Sequence, residues 1–381
     1  MRRLLGIPYA EAPARFEPPG ALVPFDPTRD TSSFGPSAMQ PTGGMLDSLV
    51  PGMAVSDVSE DCLTLNVWAP DRADGLPVLF WIHGGAYQIG GSSLETYDGE
   101  RLAARGAVVV SANYRLGALG FAVLPDHSAN VALLDLLAAL RWVQAHIAEF
   151  GGDPSRVCVF GESAGAGCVR HLLGVPARAG LFRRAIMQSP GAEAVTRSTA
   201  EELATRFVEH LGGVAPDEAP ADLILVAQEK AAADMMATMG FMPWSPVIDG
   251  DVLPVAPPGA PTDVDVIVGT TSEELRLFGG TPEQTEEMMR IPARRMADQL
   301  VAGNPRTYSY SFEWQAPNIG AAHAVDLPFT FGTLDKCGWA EFVGADDKAW
   351  RLSDVIGEAW VAFAATGDPG WPAHPFTQVL K

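Results

Sequence analysis

Residues 157–165 read Val157-Cys158-Val159-Phe160-Gly161-Glu162-Ser163-Ala164-Gly165. An apolar run ends in a serine set between glycines, and Cys168–Leu173 beyond it is apolar enough to form a helix. Strand, tight turn and helix in that order are the setting of a nucleophile elbow. The turn forces Ser163 into a strained backbone conformation, and only small flanking residues avoid a clash there. A bare Gly-x-Ser-x-Gly is common, and its plain reading is a glycine-rich turn; the strand before it and the helix after it favour the nucleophile.

Outward from the elbow, other short β-branched runs read as strands: Leu63–Val67, Pro77–Ile82, Ala107–Ala112, Ala185–Gln188, Val264–Val268 and Tyr308–Phe312. They are continuously apolar rather than alternating, as in a mostly parallel sheet covered on both faces. Helices fall between them. Ser128 is a candidate N-cap for a helix through Glu149, with Leu133, Leu137, Leu140 and Ile147 at helical spacing and Gly151-Gly152 as its stop. Further helical stretches are Ala200–Leu211, Leu223–Thr238, Pro282–Val301 and Ala349–Ala364. Alternation of this kind predicts a doubly wound α/β sheet, and the Pro254–Pro261 stretch reads as a loop inside it.

The 381 residues carry 26 Lys and Arg against 46 Asp and Glu, a net charge of −20. That balance argues against nucleic-acid or anionic-membrane partners, which need basic patches. With 47% hydrophobic and 19% charged residues, the chain is far from a disordered composition. Cys62, Cys158, Cys168 and Cys337 form no Cys-x-x-Cys pair, so neither a disulfide framework nor a metal knuckle is expected. Leu4–Pro8 is too short for a signal segment and apolar runs break within a few residues. A cytoplasmic enzyme is the expectation.

A serine alcohol is a poor nucleophile at neutral pH; it needs a base, an orienting acid and donors for the oxyanion. In this type of fold the chain order is serine, acid, histidine. His83, His127 and His146 precede Ser163, His171 lies in the helix after it, and His210 precedes any strand-end acid. His323 and His374 remain. His323, in the small-residue loop Gly320–Ala324, is favoured over His374, whose place between prolines reads as a solvent-exposed loop. The acid is Glu273 or Glu274, after Val264–Val268, with Asp326 a weaker third choice because it follows the histidine. Oxyanion donors belong at an earlier strand end, and Trp81-Ile82-His83-Gly84-Gly85-Ala86-Tyr87 runs a strand into a glycine pair.

These residues match a known pattern. The chain resembles the type B carboxylesterases of the α/β-hydrolase fold, the group that also contains cholinesterases and bacterial para-nitrobenzyl esterases. The match runs through Gly6–Ala10 with Arg15-Phe16, Ser59–Val67, His83–Tyr87, Asn113-Tyr114-Arg115, Phe150–Pro154, Gly161–Gly165, Pro246–Gly250 and Phe363–Pro369. The resemblance implies that Glu274 is the acid, although the glycine expected next is Leu275. It implies oxyanion N–H groups at Gly85, Ala86 and Ala164, the histidine at His323, and structural ion pairs joining Arg15 to Glu60 and Arg115 to Asp135. It implies no cofactor and no metal.

The departures from the family pattern carry expectations of their own. The cysteine that pairs with the Cys62 position in secreted relatives is missing from Pro36–Gln40, so Cys62 is expected as a free thiol in a reducing compartment. Between Met39 and Cys62 no aromatic residue stands, only Met45, Leu46, Leu49, Val50 and Met53. A cation–π site for quaternary ammonium is therefore not expected, and a choline ester is not the preferred substrate. Glu274 and His323 lie 49 positions apart, closer than the family pattern implies. The expectation is one domain over residues 1–381, its lid cut down between about 190 and 320 and its gorge open, with a second copy of the chain the one macromolecular partner left open. Met235, Met236, Met239, Phe241, Met242 and Trp244 line an acyl pocket or fill core.

The expected function is a serine carboxylesterase acting on small, neutral, apolar, short-to-medium esters. The same acyl-enzyme chemistry serves amides, carbamates or thioesters. A non-catalytic binding protein on this fold is the alternative from another class, disfavoured because Ser163, Glu274 and His323 are all present.

Overall fold

The computed structural model describes residues 1–44, 48–191, 194–255 and 263–381; Met45, Leu46 and most of the Pro254–Pro261 loop lie outside the described residues. The seven apolar runs become the inner strands of one nine-stranded sheet, and two unexpected segments, the first and the last, close its edges: β1 (Arg2–Pro8), β2 (Thr64–Ala69), β3 (Leu76–Ile82), β4 (Val108–Ala112), β5 (Gly152–Glu162), β6 (Arg184–Gln188), β7 (Asp265–Thr271), β8 (Thr307–Phe312) and β9 (Thr377–Leu380). Their order in space is β1-β2-β4-β3-β5-β6-β7-β8-β9. Only β1 with β2 and β2 with β4 run antiparallel; every later pair is parallel.

The two-residue period of a strand decides which core each side chain joins. In β3, Val78, Phe80 and Ile82 enter one apolar cluster, and Leu79 and Trp81 enter the other. Val108, Val110 and Ala112 of β4 likewise face away from Val109. Helices α1 (Val131–His146) and α2 (Ala164–Leu172) cover the first face, and α6 (Asp347–Thr366) covers the second. Between them in sequence lie α3 (Arg197–His210), α4 (Ala221–Asp234) and α5 (Ile291–Gly303). Each fully buried Val, Leu, Ile or Phe contributes about 1.5–3 kcal/mol relative to exposure, so both faces are needed for stability.

Several boundaries differ from expectation for local reasons. Ser128 does not cap α1; Asn130 occupies the cap with φ 55°, and its amide bonds Val247 and Asp249 instead. The Pro282–Val301 stretch breaks into Pro282–Thr285, a π turn at Glu286–Arg290, and α5. Pro292 sits at the break and has no N–H to give the preceding turn. Val131–Phe150 is long and apolar enough to cross a membrane, but most of it is buried in the core.

Two ion pairs pin the loops around the sheet. Arg115 grips Asp135 through Nε (2.8 Å) and a terminal nitrogen (2.7 Å), with both side chains almost wholly buried. Arg15 grips Glu60 in the same two-pronged way. All four cysteines are free thiols: Cys62 and Cys168 are sealed in the α1-side core, Cys158 in the opposite core, and Cys337 is partly exposed.

The parallel strands bring their C-terminal ends to one edge. Ile82 pairs with Gly161, Glu162 with Gln188, Gln188 with Gly269, and Thr271 with Phe312. Whatever follows these strands therefore converges.

Candidate active site

Ser163 follows β5 directly, at φ 55° and ψ −123°, and serves as the N-cap of α2. A non-glycine residue held there stores about 1–3 kcal/mol of strain. The surroundings over-determine it. A Cβ on Gly161 would lie 2.6 Å from the Gly165 carbonyl carbon, and one on Gly165 would lie 2.1 Å from the Ile82 oxygen. The Ser163 N–H donates to the Gln188 carbonyl at 3.0 Å, and its own carbonyl accepts from Gly167 and Gly191. The side chain is half-buried, and among the described residues its hydroxyl makes no hydrogen bond.

Glu274 opens the 3₁₀ turn Glu274–Phe278 after β7 and is fully buried. Its Oε1 accepts from the Ser189 hydroxyl at 2.5 Å and the Thr271 N–H at 2.8 Å. Its Oε2 accepts from His323 Nδ1 at 2.6 Å, a charge-assisted bond that fixes both the tautomer and the ring plane. The His323 N–H in turn donates to the Glu274 carbonyl. Glu273 points elsewhere, to Arg276 and the Ala321 N–H. Asp326 accepts from Gln188 rather than from His323.

The second ring nitrogen of His323 faces the elbow. Its Nε2 lies 3.1 Å from Glu162 Oε1, an ion-pair distance without hydrogen-bond alignment, since that oxygen has no hydrogen-bond partner. Burial alone would depress the His323 pKa, but the carboxylates of Glu162 and Glu274 override it and hold it at about 9. Burial pushes the Glu162 carboxyl up as well, with His323 opposing and Asp326 and Glu274 reinforcing. The His323 ring tilts against Phe278, ring centroids 5.8 Å apart, and Phe278 is 53% exposed.

After β3, Gly85 (φ 113°), Ala86 (φ 54°) and Tyr87 (φ 62°) turn sharply. A Cβ on Gly85 would lie 2.1 Å from the Ile89 oxygen, so the turn demands glycine there. Among the described residues the Gly85 and Ala86 N–H groups meet no acceptor. Ala164, the first residue of α2, has no acceptor for its N–H within the helix.

Sequence reasoning overlooked Glu162 and Ser189. The first is the variable position of the elbow motif itself; the second follows β6, whose end abuts β7, and strand order reveals such a neighbour only once the sheet is known. His374 corrects an expectation outright. Its side chain is buried, its Nδ1 meets the Ser309 hydroxyl at 2.9 Å, and its Nε2 meets Asp298 at 2.8 Å. The methionine-rich stretch divides: Met235 and Trp244 are core, whereas Met236 and Phe241 are exposed.

A carboxylesterase family model matches residues 1–286. The chain is 33% identical to a para-nitrobenzyl esterase of Bacillus subtilis (strain 168), over 97% of this chain and 88% of that relative. The chain belongs to the carboxylesterase family. It is also 32% identical to a phenmedipham hydrolase of Pseudarthrobacter oxydans, over 96% of this chain and 86% of the relative. A solved PNB esterase structure superposes with a TM-score of 0.89 at 32% identity, covering 100% of this chain and 92% of that one. The fold of this carboxylesterase is therefore the α/β-hydrolase fold, and the enzyme is a carboxylic ester hydrolase. Its alignment with the Bacillus relative spans 434 positions, more than the whole 381-residue chain, so the relative carries stretches with no counterpart here.

Proposed function

We propose that this carboxylesterase works through an acyl-enzyme formed on Ser163. The observation that carries the reading is the buried Glu274–His323 pair, whose second ring nitrogen lies 3.1 Å from Glu162 and faces the strained serine elbow. An ester carbonyl entering beside His323 orders the Ser163 hydroxyl toward Nε2; such bonds are often long or misaligned in empty sites. The hydroxyl oxygen bonds to the carbonyl carbon while Nε2 takes its proton. Glu274 stabilises the imidazolium through Nδ1. The developing oxyanion is received by the N–H groups of Gly85, Ala86 and Ala164, each supplying about 3–4 kcal/mol. His323 then gives its proton to the leaving alcohol, and water repeats the sequence on the acyl-enzyme.

Neutral, apolar, short-to-medium esters fit best, because the exposed face of Phe278 borders His323. The reading includes one domain over residues 1–381 with its lid reduced between about 190 and 320, and a reducing, cytoplasmic setting for the four free thiols. Replacing Ser163 with Ala tests the mechanism. Hydrolysis of para-nitrophenyl esters and stoichiometric fluorophosphonate labelling should both vanish with circular dichroism unchanged; activity near wild type would sink it.

A further inference from the structure

One turn beyond the nucleophile, Gly167 leaves open space beside its Cα, and Tyr87 fills it. A Cβ on Gly167 would lie 2.0 Å from the Tyr87 hydroxyl oxygen and 3.1 Å from Cζ. Tyr87 is fully buried, and among the described residues its hydroxyl has no hydrogen-bond partner. Burial raises the phenol pKa well above its ordinary value, so the group stays neutral. An unpaired buried hydroxyl is costly, and a ring without the oxygen would avoid that cost. The oxygen is therefore not used as a polar group; it is the last atom of a rigid side chain that reaches α2.

The two elements it joins are the two halves of the oxyanion site. Tyr87 follows Ala86 directly, and both hold positive φ values that side-chain-bearing residues disfavour. Its carbonyl accepts from the Gly117 N–H at 2.8 Å, and its ring meets Phe121 edge-on at 5.3 Å. On the far side, Gly167 donates to the Ser163 carbonyl in the first turn of α2, the turn that begins with Ala164. Gly165 presses its bare Cα against the Ile82 and His83 carbonyls in the same way. The helix thus meets the β3 end and its loop at two Cβ-free positions, and the second takes the tip of Tyr87.

We propose that Tyr87 is a positioning residue for ester hydrolysis: its ring, seated on Gly167, sets the spacing between the Gly85 and Ala86 N–H groups and the Ala164 N–H. This rests on the oxyanion assignment above. A strut of this kind acts on the transition state, so its loss lowers kcat and leaves KM little changed.

The test is a double-mutant cycle of wild type, Tyr87→Phe, Gly167→Ala and the combined variant, with kcat and KM for para-nitrophenyl acetate and thermal midpoints for all four. Gly167→Ala drives a methyl group into the phenol oxygen and should lower kcat on the order of a hundredfold, the usual effect of about 1 Å of misplacement. The combined variant removes that oxygen and should recover most of the loss, with non-additive midpoints. Wild-type kcat in Gly167→Ala, or a combined variant no more active than Gly167→Ala alone, overturns the proposal. So does midpoint coupling without a kcat effect, which marks packing alone. Should Gly167→Ala not fold, Tyr87→Ala removes the strut without adding an atom; a fall in kcat at held KM supports the proposal, and wild-type kcat overturns it. A wild-type enzyme inert to both ester and fluorophosphonate fails at the mechanism itself, whereas failure of the strut leaves that activity intact.

Discussion

Two serine–histidine–carboxylate chains hang from the same sheet, and their differences explain why one is read as reactive. In the first, Glu274 holds Nδ1 of His323 from full burial, and Nε2 faces an elbow where Ser163 stands in a strained conformation. In the second, Ser309 meets Nδ1 of His374, and Asp298, 67% exposed, holds Nε2. Ser309 lies within β8, paired with Val268 on one side and Thr377 on the other, and is buried. Residue types are shared, and each imidazole holds a carboxylate within hydrogen-bond distance; backbone strain and exposure of the serine are not shared. A triad is defined by its surroundings.

The comparison can be broken most directly at the serines. Ser163→Ala should lower kcat/KM by about 10⁵–10⁶, whereas Ser309→Ala, away from the elbow, should leave para-nitrophenyl ester kinetics nearly unchanged; equal losses would erase the distinction. At the acids, Glu274→Gln should cost about 10⁴ in kcat, because the imidazole loses its orienting partner. Steady-state kinetics on Asp298→Asn should show no comparable fall. A finer probe is the pH profile. An imidazole must be neutral to accept the serine proton, so kcat/KM rises with pH through the His323 pKa, which Glu162 helps to hold up. Glu162→Gln should therefore move that acidic limb to lower pH; an unmoved limb would remove Glu162 from the electrostatics. The smallest effect falls on stability: His374→Ala strips the buried Ser309 hydroxyl of its partner, about 1–3 kcal/mol, and should lower the calorimetric Tm by a few degrees with activity retained.

Much of this arrangement was legible because it is local. The elbow is written in Gly161–Gly165, where each glycine answers a specific steric contact, and the apolar runs fix the inner strands because burial on both faces leaves little choice of side chain. The edges were not legible. β1 and β9 carry polar residues among their apolar ones, and each becomes a strand only by pairing with an inner neighbour. Between Glu273 and Glu274 the residues alone could not choose; the difference arises from which side chain the β7 turn aims inward, and the family resemblance, not spacing, pointed to Glu274. Glu162 and Ser189 escaped for a related reason: their relevance comes from neighbouring strand ends, a property of sheet order rather than of adjacent sequence. His374 misled because flanking prolines signal a surface loop, yet the loop folds back so that its N–H donates to the Thr307 carbonyl.

The distribution of sulfur gives this molecule a built-in recorder of how it comes apart. Cys337, its thiol pushed up to about 11 chiefly by burial and by Glu95, is the sole partly accessible one in the native state. The remaining three report on opposite sides of the sheet, two beneath one helical layer and one beneath the other. Timed alkylation followed by peptide mass mapping would thus reveal which layer lifts first.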